Sequence, residues 1–303
     1  MHQIANALPD TLSYLDGEYT PLRDAKVSVL DRGFIFGDGV YEVVPVYDGR
    51  PFCFDEHMAR LGRSLAELRI DNPLTLAQWR EITTKLAGPG AKSAVAARQA
   101  VYYQVTRGVA MRDHAMPKGL VPTVFAMVNP MNPVPDAVRA EGVACVTAAD
   151  FRWQKAHVKA TSLLGAVLAR QISVDAGAAE TVMFRGEFLS EASSSNVWVV
   201  RDKRVSGPPK DELVLAGIRY GLLERLCADS GIPFDLHRVT RDEVFGADEL
   251  LLSSATKEVL PVVTLDGQPI GNGRPGPIYQ QLYAAYQDAK QRNREPKHAR
   301  SPT

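Results

Sequence analysis

Four short stretches hold residue types whose order and spacing could do chemistry. His157-Val158-Lys159-Ala160-Thr161-Ser162-Leu163-Leu164-Gly165 sets a lysine between a short extended piece and a capped apolar helix. Glu191-Ala192-Ser193-Ser194-Ser195-Asn196 puts an acid and a hydroxyl cluster at the start of an apolar strand. Leu215-Ala216-Gly217-Ile218-Arg219 places a glycine at a helix start, where free N–H groups and the helix dipole favour an anion. Asp31–Glu42 is glycine-rich and aromatic and leads into a strand. Taken singly, each has an ordinary explanation. Lys159 is one of eleven lysines and reads as solvated. The acid–serine run reads as a polar turn, the glycine-rich stretch as a structured turn, and most helix starts bind nothing. Other chemistries lack their signatures. There is no phosphate-cradling G-x-x-x-x-G-K-[ST] loop, no G-x-S-x-G nucleophile elbow and no H-E-x-x-H metal pair. Six scattered histidines argue against a metal centre.

The elements that must position these stretches follow from periodicity. Val40–Tyr47 is a Val/Tyr-rich strand, and Asp48-Gly49 gives a hairpin turn before Pro51–Phe54. From an Asp55 N-cap, Met58, Leu61, Leu65 and Leu68 recur at helical spacing. Leu76–Leu86 is a second helix, and Gln99–Thr106 and Thr123–Val128 are strands. Residues 129–136 carry three prolines and read as a linker between a small domain, 1–128, and a larger one, 137–290. In the second half, strands are expected at Val143–Ala148, Thr181–Phe184, Asn196–Val200 and Glu249–Ser253. A helix over Ser162–Ala176 carries an apolar face of Leu163, Leu164, Val167, Leu168 and Ile172, closed by Gly177. Helices over Ile218–Ser230 and Pro277–Lys290 follow, and the tail 291–303 is expected to be disordered. Two α/β halves of this kind leave a cleft, the usual place for a small-molecule site.

Composition narrows the class further. The chain has 303 residues, 45% hydrophobic and 23% charged, and its 35 basic residues balance 35 acidic ones. A nucleic-acid binder or a membrane-surface protein shows a basic bias, so neither partner is expected. No apolar run reaches the length of a membrane span. Met-His-Gln-Ile-Ala-Asn lacks the basic start and apolar core of a signal peptide, and Cys53, Cys145 and Cys227 form no C-x-x-C pair. Reduced thiols and a cytoplasmic location are expected.

Together the stretches resemble the fold-type IV pyridoxal-phosphate enzymes, over roughly residues 12–290, and most closely the bacterial D-amino-acid transaminases. The matching runs are Asp31–Glu42, Glu56–Leu61, Gln104–Gly108, Lys159–Gly165, Glu191–Val197 and Ser254–Val259. The resemblance implies a two-domain α/β (α+β) fold with pyridoxal 5'-phosphate in the cleft. By it, Lys159 is the catalytic Schiff-base lysine, which must become neutral to attack and then serves as the base for the proton shift. Glu191 faces the pyridine nitrogen and keeps it protonated. Arg60 matches the phosphate arginine; on its helix it lies roughly 120° around from the apolar stripe, able to reach sideways into the cleft. Gly217, Ile218 and Thr256 offer further phosphate donors, and Ser194 and Leu215 complete the implied cofactor contacts together with Arg219. At Arg219 the chain departs from its kin, which often carry threonine there, and a hydroxyl donor is lost. Tyr41, Arg112 and His114 match the carboxylate trap of D-amino-acid transaminases; Arg112 and His114 sit on a loop that in the family reaches the other subunit's site. The implied reaction is ping-pong transfer from a D-alanine-type donor to 2-oxoglutarate in a homodimer. A branched-chain L-amino-acid transaminase and an aminodeoxychorismate lyase are the alternatives within the same fold, and a cofactor-free binding module the alternative outside it.

Overall fold

The computed structural model describes residues 10–91 and 97–294. Among the described residues of the first half, six strands form one sheet: β1 (Leu12–Leu15), β2 (Glu18–Pro21), β3 (Gly39–Tyr47), β4 (Arg50–Pro51), β5 (Arg98–Thr106) and β6 (Thr123–Pro130). Its order is β2-β1-β6-β5-β3-β4, antiparallel throughout. The Asp16-Gly17 and Asp48-Gly49 turns have both residues at positive φ, the backbone twist that two-residue hairpins require. Among the described residues of this half the α-helices are α1 (Arg32–Phe36), α2 (Phe54–Glu67) and α3 (Leu76–Ala87). The Met58, Leu61 and Leu65 stripe of α2 packs with Trp79, Ile82 and Leu86 of α3 onto Val44, Val101 and Tyr103 of the sheet. That packing fixes the rotation of α2 and so aims Arg60. The N-cap of α2 is Cys53 at φ 54°, not Asp55, which lies in the first turn.

The second half follows α4 (Asp136–Glu141). Its strands are β7 (Val143–Ala149), β8 (Glu180–Arg185), β9 (Phe188–Ala192), β10 (Asn196–Arg201), β11 (Arg204–Gly207), β12 (Phe234–Leu236), β13 (Glu249–Ser254), β14 (Glu258–Leu265) and β15 (Gln268–Pro269). They run β12-β11-β10-β13-β14-β7-β8-β9, with β15 on β14; β7 pairs parallel with both β8 and β14. The helices are α5 (Leu164–Asp175), α6 (Ile218–Asp229), α7 (Arg241–Phe245) and α8 (Pro277–Arg294). One face of the sheet packs on α6 and α8, with Tyr47, Phe52 and Met131 of the first half joining that core; the other packs around Val239, Val244 and Ile270. No described helix is long and apolar enough to cross a membrane, and Cys53, Cys145 and Cys227 are all unpaired.

Three boundaries differ from expectation. Asn129 and Pro130 complete β6 opposite Ala100 and Gln99, and Asp136 opens α4, so the irregular connection is 131–135 rather than 129–136. Pro130 is tolerated because it ends its strand. Helix α8 runs on through residues 291–294, where disorder is expected from the sequence; the rest of that tail, 295–303, lies outside the described residues. Helix α5 starts at Leu164 and its expected core stripe is open to solvent. Leu164 is 72% exposed, Val167 59% and Leu168 52%, while only Ala169 and Ser173 are buried. The periodicity finds the helix, but among the described residues nothing covers the stripe.

Candidate active site

Lys159 lies on the connection between β7 and α5, held against the first half by backbone pairing. Its N–H donates to Ser64 Oγ of α2 (3.2 Å), and its carbonyl accepts from Tyr41 N–H (2.9 Å). Val40 and Ala160 form an antiparallel bridge beside it. The lysine is thereby pinned between α2 and β3 with its Nζ 4.1 Å from the centre of the Tyr41 ring. Tyr41 itself stacks on Tyr102 at 5.7 Å. Among the described residues Lys159 Nζ makes no hydrogen bond or ion pair; its amine lies on an aromatic face and feels the Glu42 carboxylate.

Two buried ionic clusters lie nearby. Arg60, on α2, forks onto Glu42 of β3 (Nη2–Oε1 2.6 Å, Nε–Oε2 3.2 Å) and turns Nη1 toward the Ala216 carbonyl (3.3 Å), just before α6. His57 Nδ1 meets Glu42 Oε2 at 3.1 Å. Burial alone would raise the Glu42 carboxyl, but the Arg60 charge and His57 outweigh it and hold it far below the usual carboxylate range. Burial brings the His57 imidazole down to about 4 against the pull of Glu42, because Arg60 already neutralises that carboxylate. The second cluster surrounds Glu191 on β9. Oε1 accepts from Arg152 Nη1 (2.6 Å), and Oε2 accepts from Asn196 Nδ2 (3.1 Å) and Leu215 N–H (3.3 Å). Arg152 is shared with Asp150 (2.9 Å). Burial therefore still pushes the Glu191 carboxyl up, with Arg152 only partly offsetting it, whereas Asp150 is held at about 2 once its bonds from Arg152 overcome burial.

Asn196 links this cluster to α6. Its Nδ2 also donates to Leu215 O (2.9 Å), and its Oδ1 fills the place a Cβ on Gly217 would take, 2.2 Å away. Gly217 is the N-cap of α6 without a side-chain cap, and the Ile218 and Arg219 N–H groups have no partner among the described residues. An uncapped helix start beside Arg60 is a cradle for an anion.

A model of the family described as amino-transferase class IV matches residues 39–265. The D-alanine aminotransferase of Bacillus licheniformis is 36% identical over 274 residues, 90% of this chain and 95% of that one. The protein of the same name from Staphylococcus aureus (strain N315) is 37% identical over 275 residues, 90% and 96% of the two chains. The chain belongs to the class IV aminotransferase family. Among solved structures, a T.th. branched-chain amino acid aminotransferase with pyridoxamine 5'-phosphate superposes with a TM-score of 0.85 at 23% identity, over 93% of this chain and 94% of that one. A branched-chain aminotransferase from Thermoproteus uzoniensis with norvaline gives 0.82 at 24% identity, over 91% and 93%. At such identity they show the fold, and it is fold-type IV.

For a class IV aminotransferase the residues present fit a cofactor with an aldehyde, a ring nitrogen and a phosphate. The fit rests on the unbonded Lys159 amine, the buried Glu191 carboxyl, and the Arg60–Gly217 cradle in which a side chain at 217 has no room. The other expected residues fall less simply. Ser194 bonds Glu180 (2.5 Å) and Lys257 (2.9 Å), part of a separate network in which Lys257 also bonds Glu180 (2.6 Å) and Ser195 (2.9 Å). Leu215 enters through its backbone. Thr256 is exposed, its hydroxyl 3.5 Å from Ser254 Oγ. Arg219 is buried rather than solvated: the residue is 2% exposed, its guanidinium 5.4 Å from the Phe52 ring and 5.5 Å from Tyr286. Arg112 and His114 are not brought to Lys159 by any described contact within the chain. Both lie on the Phe36 ring (5.5 and 5.4 Å), on a loop pinned by Arg32 Nη1 donating to Asp113 O (2.6 Å). The partners that sequence reasoning missed are Glu42, His57, Arg152 and Asn196. Glu42, His57 and Asn196 stood inside the matched runs without a role, and Arg152 carried no signal at all.

Proposed function

We propose that this chain is a pyridoxal 5'-phosphate-dependent D-amino-acid transaminase that moves the amino group of a D-alanine-type donor to 2-oxoglutarate in two half-reactions. The observation that carries the reading is the Lys159 amine, free of hydrogen bonds and held on the Tyr41 ring between α2 and β3. The relatives named D-alanine aminotransferase, similar over nine-tenths of the chain, support the choice of substrate hand. Bound, the cofactor supplies an electron sink that lets the Cα–H of an amino acid ionise. Lys159 holds the cofactor through its amine and, when released, takes and returns the Cα proton. Glu191, with its carboxyl raised by burial, shares a proton with the ring nitrogen, while Arg152 and Asn196 keep both its oxygens in place. Arg60 and the N–H groups of Ile218 and Arg219 hold the phosphate, with Thr256 at its open side.

Tyr41 is the member of the carboxylate trap already beside Lys159. Arg112 and His114 serve the site of a second copy in a homodimer, which agrees with their lack of hydrogen-bond partners in one chain. The uncovered stripe of α5 and exposed Phe34, Met111 and Val121 supply apolar surface for that contact. A cytoplasmic location agrees with three unpaired thiols. The deciding experiment compares kcat/KM for D-alanine, L-alanine and L-leucine with 2-oxoglutarate. D-Alanine is expected to be strongly preferred. A preference for either L-amino acid overturns the substrate assignment and favours the branched-chain alternative.

A further inference from the structure

Arg219 is a buried cation without an adequate partner. Its residue is 2% exposed, yet among the described residues Nε and Nη1 have no hydrogen-bond acceptor, and Nη2 reaches only the Ala255 carbonyl at 3.5 Å. Glu258, a carboxylate whose field it feels, is already bonded by Tyr47 (3.3 Å), Gln287 (2.9 Å), Lys290 (2.5 Å) and Arg139 (3.4 Å) and gives it no bond. An unpaired guanidinium in such a place is strongly unfavourable in isolation. His57 Nε2 is also buried without a partner among the described residues, and His57 feels the positive charge of both Arg60 and Arg219. Arg219 is the second residue of α6, next but one to Gly217, its charge reaches the His57 that shares Glu42 with Arg60, and its one bond is to the loop that bears Thr256.

We infer that Arg219 is a positioning residue for the cofactor's phosphate: a buried positive charge behind the cradle and a strut for the 254–258 loop, in place of the hydroxyl lost at this position. The inference rests on the pyridoxal 5'-phosphate reading above. It explains why a cation is kept where two of its donors are unanswered: the dianion bound at the α6 start offsets its charge. It also separates Arg219 from a packing residue. A strut that only filled the space beside Phe52 and Tyr286 would work as well with an uncharged side chain of equal length, and one that served only its cation–π contacts with those rings would lose stability in the cofactor-free Met variant.

The test is equilibrium binding of pyridoxal 5'-phosphate and of pyridoxal, which lacks the phosphate, to cofactor-free wild type, Arg219→Met and Arg219→Lys, with chemical denaturation of each cofactor-free protein. Arg219→Met is expected to weaken pyridoxal 5'-phosphate binding roughly 10- to 100-fold, to leave pyridoxal binding within about twofold, and to fold at least as stably as wild type without cofactor. Arg219→Lys is expected to recover most of the phosphate-specific affinity. Equal losses for both ligands, no loss for either, or a cofactor-free Met variant less stable than wild type would each overturn the role, the last by showing that the guanidinium is structural. Wild type that binds pyridoxal no worse than pyridoxal 5'-phosphate would instead overturn the cradle itself, and wild type that binds neither would overturn the cofactor reading.

Discussion

Adding one methyl group at Gly217 tests whether Asn196 locks the two clusters together. Gly217 has φ −59° and ψ 150°, values any L-residue adopts, so Gly217→Ala brings no backbone strain. Its Cβ would stand 2.2 Å from Asn196 Oδ1, about 1 Å inside ordinary contact. Rotating the amide gives no relief, because Nδ2 would meet the same methyl and both of its bonds, to Glu191 Oε2 (3.1 Å) and Leu215 O (2.9 Å), would break. Either Asn196 moves, or the start of α6 backs away from Arg60. Overpacking of this kind costs about 1–3 kcal/mol, and a lost buried hydrogen bond about 0.5–1.5 kcal/mol. Reduced freedom of the unfolded chain returns only about 0.4–1 kcal/mol. A net loss of about 1–3 kcal/mol is expected, read as a lower denaturant midpoint. Affinity for pyridoxal 5'-phosphate should fall by roughly tenfold or more. The control is Asn196→Ala, which removes the obstructing oxygen; in that background the added methyl should cost almost nothing. A Gly217→Ala protein with wild-type stability and cofactor affinity would refute the lock, and so would an equal cost in both backgrounds.

Three further perturbations follow from the same geometry. Lys159→Ala should abolish the borohydride-reducible cofactor adduct and nearly all turnover, whereas a variant that still forms the adduct would remove Lys159 from its role. Arg112→Ala should lower kcat/KM for D-alanine about 10- to 100-fold, the worth of a charge-assisted hydrogen bond of about 1.5–3 kcal/mol, narrow the gap to L-alanine, and leave the cofactor spectrum nearly intact; an equal loss for both enantiomers would count against the trap. His57, 1% exposed and held at about 4 by burial, keeps its neutral form in the fold. The unfolded chain takes up a proton there near pH 6.5 that the fold refuses, so the stability is whole above that pH and is lost as pH falls toward 4, on the order of 3 kcal/mol. Urea midpoints across that window should flatten in His57→Gln, and parallel profiles would contradict the assignment.

Local pattern carried much of the fold. The apolar stripe of α2, the Asp48-Gly49 hairpin and the Val/Tyr-rich β3 and β5 were legible because each is fixed by neighbours in sequence. Strand β14 was not, since Glu258 opens it at φ 63° and Pro261 stands inside it, two features that argue against a strand until β13 is seen to pair with it at Leu251 opposite Pro261. The site divides the same way. Lys159, Glu191 and Arg60 stood in recognisable runs. What sets their chemistry did not, because Glu42 is 18 residues from Arg60 and Arg152 is 39 from Glu191, pairings that exist only through sheet register and the path of the β7–α5 connection. Arg219 shows the limit most sharply. The sequence shows only an arginine where a hydroxyl is lost, and only the packing of Phe52 and Tyr286 around it reveals a buried charge.

The two places where sequence and single chain diverge have one explanation under the proposed homodimer. The stripe of α5 has the periodicity of a core helix, yet its leucines face outward. The loop bearing Arg112 and His114 has the composition of a binding site, yet neither side chain has a hydrogen-bond partner among the described residues, and Met111 and Val121 beside them are 77% and 84% exposed. Apolar surface of that extent is unfavourable in water, and α5 follows directly from the segment that presents Lys159. A second copy that covers α5 therefore docks against the element next to the reactive lysine. Under the proposed homodimer, the partner that covers α5 would also complete the proposed carboxylate trap and so couple assembly to substrate recognition. Arg32 strengthens the coupling from within the chain. It bonds Asp38 (2.8 Å) and the Asp113 carbonyl (2.6 Å), and Asp38 also takes a fork from Arg107. The recognition loop is thus tied to Asp38, the residue before β3 and three before Tyr41.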